Sequence, residues 1–419
     1  MKHFRCRSKD GLYGVFTRNR KLTFNNLVVL ISRGVKSSLQ RELDSFYKEI
    51  TGGDFNIRQV TKGAFTQARA KLNPEAFVEL NENVNQTFYE EAPYLTWHQM
   101  RLLAVDGTRL VLPNHKSVTE EFGEHGFGPN ADSQRSLALG SFLYDAINLL
   151  ILDAHIAPYA SSERALLYRH LEKVNQGDLI LLDRGYPSIG LMFLLMAKGI
   201  QFCMRMKEDW WMTVKDFKDS AEKDRVVSFK LPAKDQGLLQ QYPQMVDKEI
   251  QCRLIRVELE NGEVEILCTS LLDQETYAHE DFVELYHFRW NVEERFKLFK
   301  SRMEVENFSG KTARAVKQDF HAKVFMMSLC AVLAFPIEEK IKKEYHQDNH
   351  KHPKKINRTS ALSMLREISI ALFIKKQTEN AIGAFDKLVR KTTEIVRPGR
   401  KNERKKRPKK LYYMNYKPL

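Results

Sequence analysis

Between residues 100 and 207, short apolar runs of strand length alternate with helical patterns, and two of those runs lead directly into an aspartate. Leu102 to Val105 is followed by Asp106-Gly107-Thr108, and Leu179 to Leu182 by Asp183-Arg184-Gly185-Tyr186-Pro187. The long Leu- and Ile-rich stretch from Leu137 to Pro158 predicts two strands, and Ser161 to Val174 has helical periodicity. An apolar helix then runs to Lys198 with Gly199 as its stop, and Gln201 to Met206 predicts another strand. Strands this apolar need helices on both faces, so the segment predicts a mixed α/β core.

The 419 residues are too many for one small domain, at ~100–200 residues each. Residues 1–95 read as a helical domain. Phe24 to Ser32 is an apolar segment, Ser37 and Gln40 have capping-box spacing, Thr61 to Leu72 is a short basic helix, and Asn73-Pro74 opens the next. Short helices with exposed arginines are compatible with a helix-turn-helix module, and equally with an ordinary helical cap on a larger domain. The α/β core begins over 96–207. Residues 208–276 read as a β-rich insertion, with strands at Val226 to Leu231, Cys252 to Leu259 and Glu263 to Leu271 and a hairpin signal at Asn261-Gly262. Residues 277–340 return to helix, and 341–419 form a helical C-terminal region that ends in a basic tail from Arg397 to Lys410.

Lysine and arginine number 67 against 53 aspartates and glutamates, a formal net charge of +14. A chain this basic suits a polyanionic partner, although charge alone does not separate nucleic acid from a membrane surface or plain solubility. The five cysteines, Cys6, Cys203, Cys252, Cys268 and Cys330, are odd in number and scattered, which argues against a disulfide framework or a zinc ribbon and for a reducing compartment. No apolar leader core is visible, and the longest apolar runs, Ile189 to Ala197 and Val324 to Phe335, are short for a bilayer. The expectation is a cytoplasmic protein with no membrane association.

Asp106 and Asp183, each placed just past a buried strand, could meet at neighbouring strand ends and hold a divalent cation, since aspartate offers hard oxygen donors. Taken singly, each is as well explained as a turn or cap residue. The stretch Tyr286 to Lys300, YHFRWNVEERFKLFK, is more informative. At ~100° per residue, Tyr286, Arg289, Glu293 and Lys300 fall within about 60° of one another, beside an apolar face of Leu285, Phe288, Val292, Phe296 and Phe299. A surface salt-bridge ladder is the bland alternative, because Arg289 and Glu293 are an i,i+4 pair. One or both of Asp145 and Asp153 are expected to face solvent or a turn, Glu163 is accounted for by the helix it opens, and His346, His350 and His352 read as a flexible surface loop.

The spacing Tyr286-x2-Arg289-x3-Glu293-x6-Lys300 resembles the Tyr-Arg-Glu-Lys signature of bacterial insertion-sequence DDE transposases, in particular the cut-and-paste group called insertion-sequence family four. The Asp106-Gly107-Thr108 and Asp183-Arg184-Gly185-Tyr186 blocks resemble that family's two aspartate motifs, in the same order. LQREL at 39–43 and AFTQARAKL at 64–72 are also similar to family members, so the resemblance covers roughly 20–340.

The resemblance implies a ribonuclease-H-like catalytic core with a β-rich insertion, flanked by helical N- and C-terminal regions, with 1–95 binding DNA ends. It implies Asp106, Asp183 and Glu293 as catalytic ligands of two magnesium or manganese ions for in-line phosphoryl transfer. Tyr286, Arg289 and Lys300 would bind DNA phosphates. Relatives pass through a DNA hairpin with a base flipped against aromatic rings, which makes Trp290 the base-stacking candidate, while 212–289 holds no tryptophan where some relatives place one. The implied partners are double-stranded DNA, as terminal inverted repeats and as target, and a second copy of the chain in a homodimeric synaptic complex, nucleoid-associated in the bacterial cytoplasm. The alternatives are an inactive or domesticated DNA-binding regulator that retains the fold, and a ribonuclease-H-like nuclease with another substrate.

Overall fold

The computed structural model describes residues 16, 20–127, 133–207, 211–220, 222–258, 262–347 and 352–396, without the side chains of 127, 133, 290–297 and 345–347. The basic tail and Asn261 therefore lie outside the described residues, as do the side chains of His346 and His350.

Four helices come first: α1 Phe24–Arg33, α2 Leu39–Thr51, α3 Lys62–Arg69 and α4 Glu75–Glu91. Thr23 and Thr61 cap α1 and α3 by accepting the amides of Asn26 and Ala64, both at 3.2 Å. The Ser37–Gln40 capping box does not form. Ser38 is the N-cap of α2, and the Ser37 hydroxyl donates instead to Glu42 Oε1 at 3.0 Å. Gln40 is used between helices, accepting the Lys62 amide at 2.9 Å and donating to the Val60 carbonyl at 2.9 Å.

The core follows as β1 Leu102–Val111, α5 Lys116–Phe122, β2 Glu124–Phe127, β3 Ser133–Asp145, β4 Ile151–Pro158, α6 Glu163–His170, β5 Leu179–Leu182, α7 Ile189–Ala197 and β6 Gln201–Arg205. Next come α8 Met212–Asp219, β7 Asp224–Lys230, β8 Glu249–Glu258, β9 Val264–Thr269, α9 Asp281–Lys297, α10 Ala313–Gln347, α11 Arg358–Phe373 and α12 Thr378–Lys391. Strands β4, β3 and β1 form an antiparallel meander; β5 then pairs parallel to β1, and β6 parallel to β5. This is the ribonuclease-H-like arrangement that the resemblance implied. The β-rich stretch does not stand apart from it: β9, β8 and β7 continue the same sheet beyond β6, each antiparallel to its neighbour.

Both faces of β1 are covered, which explains its unbroken apolar start. Leu102 and Ala104 pack with α9, α10 and α11 side chains, including Phe282, Leu285 and Phe320. Leu103 and Val105 pack on the other face with Leu167, Leu171 and the α7 residues Leu191 to Leu195. Helix α10 is long and apolar enough by composition to cross a bilayer, but most of its apolar side chains are buried in these clusters.

The N-terminal helices are fastened to α10 through a buried arginine. Arg69, only 4% exposed, donates to Asp319 Oδ1 at 2.9 Å, to Gln318 Oε1 at 2.8 Å and to Ser309 Oγ at 2.7 Å. Gln318 answers by donating to the Arg69 and Leu72 carbonyls at 2.9 and 2.7 Å. This corrects the expectation that the short N-terminal helices display their arginines, since this one is spent on tertiary structure. Removing one partner of a buried pair strands the other charge, so Arg69→Met should cost ~3–5 kcal/mol in urea unfolding. The exposed Arg58, 3.7 Å from Asp44, should cost less than ~1 kcal/mol as Arg58→Ala. Equal effects would show that the Arg69 network contributes nothing.

Candidate active site

The parallel ladder between β1 and β5 pairs Leu102 with Leu179, Leu103 with Ile180 and Ala104 with Leu181, and there it stops. Strand β1 runs on, held by β3, in which Asp106 faces Phe142 and Gly107 faces Ser141. Asp106 is therefore inside a strand, not past its end. Asp-Gly-Thr has the composition of a turn, but the antiparallel partner keeps the backbone extended. Continuing the parallel register by two residues brings Asp106 abreast of Asp183, the first residue after β5. The two predicted aspartates thus meet where β1 and β5 part.

Their electrostatics follow from that position. Burial pushes the Asp106 carboxyl up to about 6; the amide of Gly107, donating at 2.7 Å, and the Arg289 guanidinium oppose the shift, while Asp183 and Glu163 add to it. Asp183 is a third exposed, and two guanidinium groups stand near it: Arg289 Nη1 at 3.8 Å and Arg205 Nη1 at 3.7 Å. Its Oδ1 is a buried atom without a hydrogen-bond partner among the described residues. A carboxylate oxygen with no hydrogen bond, beside a carboxyl that gives up its proton reluctantly, fits a divalent cation, which would coordinate the first and lower the pKa of the second.

Helix α9 supplies the other predicted groups. Leu285 and Phe282 are fully buried against the sheet, and this anchors the face next to the polar stripe. Tyr286 is 5% exposed, and the Arg289 guanidinium lies 5.3 Å from its ring centre. Burial raises the phenol, whose oxygen has no hydrogen-bond partner among the described residues. Arg289 thus stands between Asp183 and the Tyr286 ring. Glu293 lies on the same helix one turn beyond Arg289, and its side chain, like that of Trp290, is outside the described residues. Lys300 departs from the simple helical count, because α9 ends at Lys297 and Leu298–Arg302 is a π-helical turn that resets the angular phase.

Two residues near the aspartates were given no site role from the sequence. Arg205 closes β6 and forms an ion pair with Glu265 of β9. The only sequence signal is a charge ending an apolar strand. Glu163, assigned to its helix end, has its carboxylate against Gly107 and Gly185, where an added methyl would lie 2.9 Å from Oε1 and 3.5 Å from Oε2. Asp145 and Asp153 are structural. Asp145 accepts the amides of Ile147 and Asn148 in a turn, at 3.0 and 2.8 Å. Asp145 thus meets the expectation of a turn, and Asp153 lies within β4 with its Oδ2 2.7 Å from His170 Nδ1 and 3.0 Å from His155 Nε2. Burial keeps His170 neutral, so Nδ1–H donates to Asp153 and Nε2 accepts from Ser141 Oγ at 3.0 Å. Despite its own burial, those imidazoles hold Asp153 well below the carboxylate range.

The Transposase DDE domain family matches residues 97–330, a span that contains every predicted site residue. Transposase InsG for insertion sequence element IS4 of Escherichia coli (strain K12) is 24% identical over 310 residues, 72% of this chain and 66% of the relative. Putative transposase InsZ of the same organism is 28% identical over 153 residues, 35% of this chain and 50% of the relative. The chain thus spans just under two thirds of the first relative's length and half of the second's. A cryo-EM structure of the piggyBac transposase synaptic complex with hairpin DNA covers 93% of this chain and 80% of its own at 8% identity. Its TM-score of 0.45 is too low for residue correspondence.

The raised Asp106 pKa has a definite sign in a pH titration. A carboxyl held at about 6 in the fold, against an ordinary 3.8, contributes stability below pH 3.8 that is lost as pH rises through 6. Asp106→Asn should therefore melt a few degrees above wild type at pH 8 without metal, with the gain gone at pH 3.5 to 4. Magnesium should stabilise wild type above about pH 6 and progressively less below it, because the cation must displace the proton. Thermal melts across pH check both, and a pH-independent magnesium effect would remove Asp106 from the site.

Proposed function

The chain belongs to the transposase DDE-domain family, and from that membership we propose that it is a DNA transposase that cleaves at the terminal inverted repeats of its element and joins the 3′ ends to target DNA. The observation that carries the reading is the β1–β5 register, which brings Asp106 and Asp183 together beneath Arg289 and Tyr286.

Asp106, Asp183 and Glu293 would hold two magnesium or manganese ions, which when bound supply an activated water or 3′-hydroxyl and a neutralised leaving oxygen. The rest falls to the chain's own side chains. Arg289, steadied by the Tyr286 ring, presents a planar fork to a DNA phosphate, bidentate where lysine would be a point charge. Tyr286 stays protonated because burial raises its phenol, so it donates to a phosphate oxygen. Lys300, on the π-helical turn, adds a positive charge along the same strand of DNA. Trp290, next to Arg289, would stack on an unpaired base if the excised end closes into a hairpin. The helices within 1–95 would grip the repeat, the net charge of +14 would draw in duplex DNA, and a homodimer would hold both ends. A cytoplasmic, nucleoid-associated location accords with that substrate.

The test is cleavage of a plasmid carrying the DNA that flanks the gene, with magnesium, comparing wild type with Asp183→Asn. The variant should bind that DNA and fail to cut it, because one ligand is lost while the phosphate-binding groups remain. Cleavage by both proteins would remove Asp183 from the chemistry, and binding without cleavage by wild type would favour a regulator that retains the fold.

A further inference from the structure

The chain holds a second group of metal-binding side chains, on the α6 face of the sheet and two strands away from β1. Asp153 and His155 are two residues apart on β4 and so share a face. His155 pairs with Ser141 of β3, which in turn pairs with Gly107 of β1. At ~5 Å per strand, the group lies roughly 10 Å from β1. His170, in the last turn of α6, comes down onto the same face. One ligand atom from each of the three lies within 4.8 Å of the others, the one such group of histidine, cysteine and acid side chains among the described residues.

The Ser141–His170–Asp153 hydrogen bonds account for two of these side chains and leave His155 over. Its Nε2 stands 3.0 Å from the same Asp153 oxygen, is buried, and has no hydrogen-bond partner among the described residues. Its ring lies against that of His170, with centres 4.7 Å apart. Two imidazole nitrogens thus converge on one carboxylate oxygen, where a single proton serves only one of them. An ion serves both. Donors on a tetrahedral zinc with bonds of ~2.0–2.1 Å lie about 3.3 Å apart, so the three groups have to open by about half an ångström to admit one.

The surroundings are those of a ligand set. Asp153 Oδ1 accepts the Ala154 amide at 2.9 Å, which fixes the carboxylate and leaves Oδ2 to the rings. Ser141 Oγ stands at the far nitrogen of His170, where it donates to Nε2 while the proton is on Nδ1 and accepts from Nε2–H once an ion takes Nδ1. Binding therefore moves a proton from one nitrogen of His170 to the other and releases none. The side chains of Asp153 and His155 are 11% and 26% exposed, against 0% for His170, so an ion enters beside His155 and water completes its coordination.

We propose that Asp153, His155 and His170 form a transition-metal site of the zinc class that fastens α6 to β4. The donor set selects the ion: two imidazoles and one carboxylate suit zinc, cobalt or nickel, whereas magnesium takes oxygen donors. The site is chemically distinct from Asp106 and Asp183 and stands whether or not that pair carries catalysis. Its effect reaches the pair through α6, whose first turn lays Glu163 against Gly107 and ties Arg164 Nη2 to the Pro187 carbonyl at 3.2 Å.

The test is titration of the full, chelator-stripped chain with zinc, and with cobalt as the visible-absorbing probe, followed by thermal melting. Wild type should melt several degrees higher in excess zinc and keep that gain in excess magnesium. His155→Phe keeps a ring against His170 and removes the ligand nitrogen. Because that nitrogen makes no hydrogen bond, the metal-free melt should stay within a few degrees of wild type, while zinc affinity falls by about 100-fold or more. Asp183→Asn, and a variant with glutamine at His346, His350 and His352, should retain the ion, since they alter the other acids and the other histidine cluster. Wild-type zinc affinity in His155→Phe overturns the site, as does the lack of any zinc-dependent gain in wild type. Loss of the ion in the loop variant or in Asp183→Asn places it there instead and also overturns the proposal. If His155→Phe does not fold, zinc X-ray absorption on the loop variant decides: two imidazoles with oxygen donors support the site, and oxygen donors alone overturn it.

Discussion

Three backbone pairs between β1 and β5 govern the rest of the molecule. A parallel pair has no turn of its own to set its register, so apolar matching across the sheet must do it. Leu179–Leu182 is buried on both faces, and a one-residue slip would exchange the sets that face α9 and α7. The same register decides where Asp183 falls relative to Asp106. The packing that stabilises the core therefore also sets the geometry of the acids, and no loop has to be trusted to bring them together.

Burying carboxylates at that point opposes folding: burial raises Asp106 and Glu163, and the neighbouring acids add to it. The opposition is met by structure built around the acids. Arg289 is held over Tyr286, Arg205 is paired with Glu265, and α6 is locked by a buried hydroxyl–imidazole–carboxylate chain. That last chain has the pattern of a hydrolytic triad, but Ser141 is fully buried, so it has no route to a substrate and works as a pin. The Arg69–Asp319 pair does the same for the N-terminal helices, coupling any DNA-gripping surface there to α10.

Much of this was legible in the residues because the underlying signals are local. Strand-length apolar runs gave β5 to the residue, and a periodic apolar face gave α9. The aspartates were singled out because each abuts such a run. What was missed depends on partners distant in sequence. The extent of β1 beyond Asp106 is decided by β3, some 35 residues on, and no turn rule sees it. Arg69 carries a surface residue's chemistry and is buried only because Asp319 awaits it 250 positions away. Glu163 has a complete local explanation as a helix-opening acid, and only its close approach to Gly107, 56 positions away, shows where its carboxylate lies. The phase of Lys300 was misjudged for another reason, since a π-helical turn adds residues without changing the composition that a helical count reads.

The β-rich stretch now takes a different place in the argument. Because β9 pairs with β6 and not only with β8, its residues lie on the same sheet as the acids. Arg205 faces Leu267 across that pairing, and Glu265, two residues along β9, sits diagonally on the same face, within reach of a long side chain. The ion pair this allows removes most of Arg205's freedom and leaves its other guanidinium nitrogen 3.7 Å from Asp183. Without Glu265, Arg205 would be free to close on Asp183, the carboxylate proposed to hold a cation. The β-rich stretch thus restrains a charge beside Asp183, and the sheet that carries it has to be continuous for that restraint to act at a fixed distance.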